Sequence, residues 1–322
     1  DVYKRQSLNL VNVDNGDHRI LVSSNTLPVA EDLEAGQATV LIDYIQWLPD
    51  AEGVAFNTIV RNLNGPDVGN QEDLWLATID GELVESFSAG EGGGIFAFEP
   101  DGRILLSRAG ELAKATLNGL EQDTILQYEP INTASEYIYY PSPQLTSSGA
   151  YVAVPASDPW FPGAETVLWQ APYYSPAIQI GRIANVVLTQ PVVWSLDGQK
   201  IAFIQQPDDG EQPVSRLYIA EGDGSGALPY AGGTSLNIFD WNPEDDRFLY
   251  AGTGFYAIGR AQAPPSQILL PEGQSAAEAR WLADNDYIVT IVDPANQSWE
   301  IRSANVSGET TVLANGPGQW SN

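Results

Sequence analysis

The chain has 322 residues, with 14 Lys+Arg against 42 Asp+Glu, and so carries a formal charge of −28. Such a surface repels phosphates and no Lys/Arg cluster offers a basic patch, which argues against nucleic-acid partners. With no cysteine and a single histidine, thiol catalysis, disulfides, Cys-ligated metals and His-based zinc sites are excluded. No run reaches the ~18 consecutive apolar residues of a membrane span.

Asp1–Gln6 resembles the translation of a transposase adapter used to make sequencing libraries, and the chain contains no methionine. These six residues are expected to be an artefact outside the fold. Residues 7–17, Ser-Leu-Asn-Leu-Val-Asn-Val-Asp-Asn-Gly-Asp, match the third strand and hairpin of a repeat seen again at Leu74–Glu82. No first or second strand precedes them.

From there an aromatic or apolar anchor recurs before a polar turn and a run of β-formers. The anchors are Trp47, Phe98, Leu145, Trp194, Trp241, Trp281 and Trp320, spaced by 51, 47, 49, 47, 40 and 39 residues. A period of about 40–50 residues carrying several short strands is the sequence signature of a β-propeller blade. After Trp47 come Val54–Phe56 and Asp73–Gly81; after Phe98 come Ile104–Leu106 and Glu111–Thr116; after Leu145 come Tyr151–Val154 and Thr166–Trp169. The clearest copy follows Trp194. Ser195–Gly198 is a turn in which glycine supplies positive φ, and Ile201 to Phe203 starts a second strand. Arg216–Ala220 is a third strand, Glu221–Gly226 a hairpin turn, and Leu228–Tyr230 a weaker fourth strand. Trp241 leads to Phe248–Tyr250 and Gly254–Ala257, and Trp281 to Tyr287–Val292 and Trp299–Arg302. Each anchor indole can bury on the order of 150–250 Å². At ~25 cal/mol/Å² that is roughly 4–6 kcal/mol, an upper bound, so most of the tryptophans are expected in the core. Trp160, in the turn-rich Ser157–Gly163, is the exception.

Trp-Ser-Leu-Asp-Gly-Gln-Lys-Ile-Ala-Phe at 194–203 resembles the Trp-Ser-Pro-Asp-Gly-x-x-Ile-Ala-Phe repeat of TolB-type propellers, the WD40-like or PD40 family. The likeness extends over about residues 7–322 and is weakest at Leu145. It implies an all-β propeller of four-stranded blades in a single domain at 7–322: six complete blades and one composite blade, a seven-bladed ring. In the composite blade the strands within 7–24 would pair with an anchor strand at 316–321. Both ends then read as cut within a blade. The family includes periplasmic adaptors and the propellers that precede prolyl-oligopeptidase-like catalytic domains.

No catalytic set stands out. His18 sits in the turn Asn15–His18 and reads as an exposed turn residue, without a partner for a Ser-His-Asp mechanism. Gly222-Asp-Gly-Ser-Gly226 departs from G-x-S-x-G, with Asp223 where glycine is required. Glu91–Gly94 lacks the Gly-Lys-Ser/Thr of a phosphate loop. Glu221–Ser225 and Asp284–Asp286 are the nearest calcium candidates, but Asp, Asn and Gly are what hairpin turns use. No metal, cofactor or catalytic residue is therefore assigned, and no ligand residue is named.

The resemblance points to a non-catalytic, monomeric binding scaffold, periplasmic or extracellular. It would take a protein, peptide or glycan at loops of the propeller face, the longest being 57–73, 155–166 and 205–215. The alternatives are an accessory propeller of a larger prolyl-oligopeptidase-like hydrolase, and a propeller enzyme using channel carboxylates as a glycosidase or lyase.

Overall fold

Antiparallel four-stranded sheets, each built from strands in sequence order, follow one another along the chain. The computed structural model describes residues 7–12, 16–28, 38–62, 69–134, 137–159, 165–172, 176–183, 190–205 and 214–318. β1 (Ser7–Val11) and β2 (His18–Ser23) form a two-stranded sheet. The first full sheet is β3 (Ala38–Trp47), β4 (Gly53–Asn62), β6 (Leu74–Thr78) and β7 (Leu83–Phe87), with the short β5 (Gly69–Asn70) paired to β4. The second is β8 (Ile95–Phe98), β9 (Ile104–Arg108), β10 (Glu111–Ala115) and β11 (Gln122–Gln127). A small hairpin follows, β12 (Ile131–Asn132) and β13 (Ile138–Tyr139). The third sheet is β14 (Gln144–Thr146), β15 (Gly149–Pro155), β16 (Thr166–Ala171) and β17 (Ile178–Ile183). The fourth is β18 (Val193–Trp194), β19 (Lys200–Gln205), β20 (Ser215–Glu221) and β21 (Leu228–Gly233). The fifth is β22 (Asn237–Trp241), β23 (Arg247–Gly252), β24 (Phe255–Arg260) and β25 (Ala263–Leu269). The sixth is β26 (Ser275–Trp281), β27 (Asp286–Asp293), β28 (Ser298–Asn305) and β29 (Thr310–Pro317). These are the six complete blades expected, and the fold is an all-β propeller. The chain divides into two compact units, Asp1–Val11 with Asp17–Pro143, and Asn12–Gly16 with Gln144–Asn322.

The fourth blade shows why the sheets stack. Side chains alternate across a strand, yet Ile201, Ala202, Phe203 and Ile204 are all buried. Ile201, Phe203 and Ala220 pack with Trp194 against Tyr151, Ala153 and Leu168 of the third blade. Ala202, Ile204, Leu217 and Ile219 pack against Ile238, Trp241, Phe248 and Tyr250 of the fifth. Both faces are core, so the strand reads as a continuous apolar run instead of an alternating one. The turn before it forms as its residues dictate. Gly198 takes φ +71°, its N–H bonds Ser195 O at 2.8 Å, and Ser195 Oγ bonds Asp197 Oδ1 at 2.7 Å. The indole of Trp194 donates to Gly222 O at 3.0 Å. A Cβ on Gly222 would sit 2.0 Å from Gly198 O, so only glycine fits that hairpin.

In the second unit polar side chains tie successive first strands. Gln144 Oε1 accepts from Trp194 N at 2.9 Å, Gln190 Oε1 from Ile238 N at 2.9 Å, and Asp240 Oδ2 from Trp281 N at 3.1 Å. Each tie joins one blade to the next.

Phe98, Trp194, Trp241 and Trp281 are buried as anchors should be, and Trp75 with them. Two anchors behave otherwise. Trp47 is 53% exposed and Ile45 43%. They share a face with Val54 and Phe56, their neighbours across β4. That face is covered through Leu21, Val22 and Leu27, but the β1–β2 sheet has two strands and leaves the end of β3 bare. Leu145 is half-buried; Tyr151, 5.5 Å from the Trp194 ring, supplies the aromatic contact in that blade. The composite seventh blade is not formed among the described residues. β1 pairs with β2 alone, while Gly316 and Pro317 pair with Trp299 and Ser298 inside the sixth sheet. Trp320, Trp160 and Asp1–Gln6 lie outside the described residues.

Trp194→Ala should lower unfolding stability by about 3–5 kcal/mol, as a buried indole leaves a cavity. Trp47→Ala should cost less than about 1 kcal/mol. Urea titration of the two variants checks the contrast.

Candidate functional site

In the first unit, polar side chains collect where β4 gives way to β6 and where blade one hands over to blade two. Asp73, just before β6, clamps the middle of β4. It accepts Thr58 N at 2.7 Å, Thr58 Oγ1 at 2.6 Å and the Trp75 indole at 2.8 Å. Asn57, fully buried, points its amide nitrogen at Gly93 O (3.2 Å) and Gly94 O (2.6 Å). Asn70 donates to the same Gly94 O at 3.2 Å and to Asp43 Oδ2 at 3.3 Å. A register shift between Ile42 and Ile45 sets Asp43 and Tyr44 beside Asn57, a β-bulge of the kind that re-aims side chains. Burial raises the pKa of both carboxyls. For Asp43 it outweighs the Asn70 bond and a backbone bond, and the charge of Asp73 pushes the same way. For Asp73 it outweighs the bonds from Thr58 and Trp75.

Beside this network stands a tyrosine face that the blade repeat does not explain. Its source is the segment carrying β12 and β13, inserted between the last strand of blade two and the first of blade three. The Tyr140 hydroxyl donates to Glu72, and a Cβ on Gly94 would lie 2.3 Å from the Tyr140 ring, so the ring rests on a glycine. Glu72 adopts φ +50°, a conformation that costs a non-glycine residue on the order of 1 kcal/mol. It is held there by its N–H to Asn70 Oδ1 at 2.7 Å and by Gly92 N to its carbonyl at 2.5 Å. Tyr128 donates to Arg108 O at 2.8 Å. Burial pushes the Tyr128 and Tyr139 hydroxyls up to about 12, and burial with the Glu72 bond raises Tyr140. These phenols stay neutral donors at physiological pH. Tyr137 is 47% exposed. A cleft of about 530 Å³ opens at Tyr128, lined also by Gly110, Glu111, Gln127 and Glu129.

The chemistry available is recognition: rings, amides and carboxylates fixed by their neighbours. Asp73 has both oxygens committed to three donors, and the raised pKa of Asp43 follows from burial in a structural seam. His18 is exposed at the first position of β2, opposite Val11. Asp223 accepts from Ser225 N at 2.9 Å, and the Ser225 bonds hold its carboxyl below the usual range, so Glu221–Ser225 is a closed turn. Asp284 bonds Arg247 at 2.5 Å and Asn285 at 2.9 Å. Among the described residues no group of three or more His, Cys, Asp or Glu is placed to hold a metal. Glu91 accepts from Ser88 Oγ at 2.7 Å. Of the loops expected to recognise ligand, 57–73 is strand at both 57–62, the end of β4, and Gly69–Asn70, which is β5, while residues 63–68 lie outside the described residues. Residues 160–164 and 206–213 of the other two lie outside the described residues. Sequence reasoning missed the tyrosine face, although Tyr137-Ile-Tyr-Tyr140 was a visible signal. No helix among the described residues is long and apolar enough to cross a membrane.

The folded pKa of Asp43 lies above its unfolded value, so its ionisation costs stability as pH rises through that pKa, and the cost is absent below the unfolded pKa. Asp43→Asn should melt higher than the parent at pH 7, with the gain vanishing below about pH 4. Asp73→Asn should instead destabilise by about 1–3 kcal/mol, because an amide NH₂ would face donors. Thermal melts across pH separate the two.

No protein-family model matches the chain, and no curated protein sequence does. Solved structures resemble it. A TolB-like protein from Agrobacterium tumefaciens aligns with a TM-score of 0.51 and 10% identity, over 98% of this chain and 90% of that one. Acylaminoacyl peptidase from Pyrococcus horikoshii aligns with a TM-score of 0.56 and 15% identity, over 86% of this chain and 46% of the peptidase. A chain of the mitotic checkpoint complex aligns with a TM-score of 0.52 and 14% identity, covering 92% and 90%. The chain therefore spans less than half the length of the peptidase, and what it shares with all three is the β-propeller fold.

Proposed function

We propose that this protein is a non-catalytic binding scaffold that recognises a protein or peptide through the tyrosine face of its first unit. In this reading residues 7–322 are one propeller domain, monomeric and exported to the periplasm or beyond the cell, in keeping with the likeness to a TolB-like fold. The observation that carries it is the inserted β12–β13 segment. It sets Tyr140 on Glu72 and leaves Tyr137 exposed, and it follows directly on Tyr128, which is fixed on Arg108 O and lines an open cleft. Tyrosine gives a large, rigid contact area at low entropic cost, which is why recognition surfaces use it. A fold by itself does not choose between binding and catalysis; half-buried rings held by their hydroxyls, with the exposed Tyr137 in the same stretch of chain, favour binding.

The alternative, an accessory propeller of a prolyl-oligopeptidase-like hydrolase, draws on the partial coverage of the acylaminoacyl peptidase chain. It is tested by whether the longer reading frame continues into an α/β-hydrolase domain.

Peptide and glycan arrays probed with the purified chain should give binding that Tyr137→Ala weakens and Trp47→Ala leaves intact. Aryl peptide esters and aryl glycosides should show no turnover. Turnover removed by Asp43→Asn or Glu72→Gln would replace the scaffold reading with an enzyme.

A further inference from the structure

The tyrosine face has an uneven supply of charged groups. Its cation, Arg108, is turned inward. Arg108 gives Nη1 to Glu111 Oε1 at 3.3 Å and Nη2 to Gln122 Oε1 at 3.1 Å and to Glu91 O, and its Nε is buried without a partner among the described residues. The hydroxyls of Tyr128 and Tyr140 bond Arg108 O and Glu72, and Thr124 Oγ1 bonds Glu111 Oε2 at 2.8 Å. Acceptors are left over. Glu129 is exposed on the cleft wall and its carboxylate has no partner among the described residues. The second oxygen of Glu72 is in the same condition, its one side-chain bond being to Tyr140. Among the described residues the charged ones lining the cleft are Glu111 and Glu129, in a chain of net charge −28.

A ligand that brings positive charge together with donors suits such a surface. A guanidinium or ammonium meets both needs: it pairs with carboxylates through charge-assisted bonds, and it is attracted to the π-face of tyrosine. We propose that this face binds a cationic, extended protein segment, with an arginine or lysine side chain entering the cleft between Tyr128 and Glu129. The inference rests on the reading of the face as the recognition surface and adds the chemical class of its partner. The excess negative charge of the whole chain would speed encounter with such a segment.

The test is fluorescence anisotropy with three labelled probes: an Arg/Ser peptide, the same peptide with citrulline at every arginine, and a neutral glucan oligosaccharide. The arginine peptide should bind, more weakly as salt rises, and the citrulline peptide should not. Glu129→Gln and Tyr137→Ala should each weaken binding by about three- to tenfold. Glu309→Gln, on the β28–β29 turn of the other unit, should leave it unchanged. Equal weakening by Glu309→Gln would mean diffuse attraction to a polyanion and overturn the proposal. Equal binding of the citrulline peptide, or binding of the oligosaccharide alone, sensitive to Tyr137→Ala, would overturn the cationic ligand while keeping the face as a recognition surface. Indifference of every probe to Tyr137→Ala would remove the recognition surface itself.

Discussion

A four-stranded sheet that is apolar on both faces cannot stand alone in water. The strand Lys200–Gln205 makes the constraint concrete, with Ile201 and Phe203 needing one neighbour and Ala202 and Ile204 needing another. The same demand recurs in the first unit, where Phe56 packs toward Leu21 and Val22, and Ala55 and Leu74 pack toward Phe96 and Phe98. The driving force is burial of hydrocarbon and aromatic surface, and hydrogen bonding within each sheet supplies only the local frame. Aromatic residues carry much of it, as in the contacts of Trp241 with Phe248 at 5.0 Å and Trp281 with Tyr287 at 5.5 Å. Where the neighbour is incomplete, as beside β3, an anchor of the same type lies open to solvent.

That architecture separates two tasks along the first unit. The sheets spend their apolar side chains on each other, while the ends where strands hand over gather the polar ones. Asp73, Asn57 and Asn70 use carboxylate and amide groups to hold backbone that no ladder satisfies, which is the accounting every buried N–H and C=O imposes. The tyrosine segment is then laid across this prepared ground, with Gly94 leaving room for the Tyr140 ring. The left-handed conformation of Glu72 survives because three bonds over-determine it. Rigidity of this kind suits a surface that must present the same groups to every partner.

The repeat was legible because its signal is local. Trp194-Ser-Leu-Asp-Gly198 states a strand end, a turn and the glycine that closes it within five residues, and spacing multiplied that signal six times over. Burial of an individual anchor was not legible, since Trp47 and Trp194 share a motif and differ in what stands against them. The site was harder still. Asn57 meets Gly93 and Gly94 from 36 and 37 positions away, and Tyr140 meets Glu72 from 68. Such pairings follow from the register of sheets already formed, so no short motif announces them. The Tyr-Ile-Tyr-Tyr run hinted at an unusual connection, but its meaning depended on which glycines and carboxylates lay beneath it.

The ties between first strands have a consequence for how this array can change. Gln144, Gln190 and Asp240 perform one task, two with a glutamine amide and one with a shorter carboxylate, each reaching the amide of its own successor. The repeats are alike in path but keyed to their neighbours, as links cut to fit in one order only. Exchanging the copy that carries Asp240 with one that carries a glutamine would bring an acceptor of the wrong reach to a foreign strand and leave a part-buried amide unsatisfied. Divergence among copies therefore restricts which of them can stand side by side, even where their strands follow the same path.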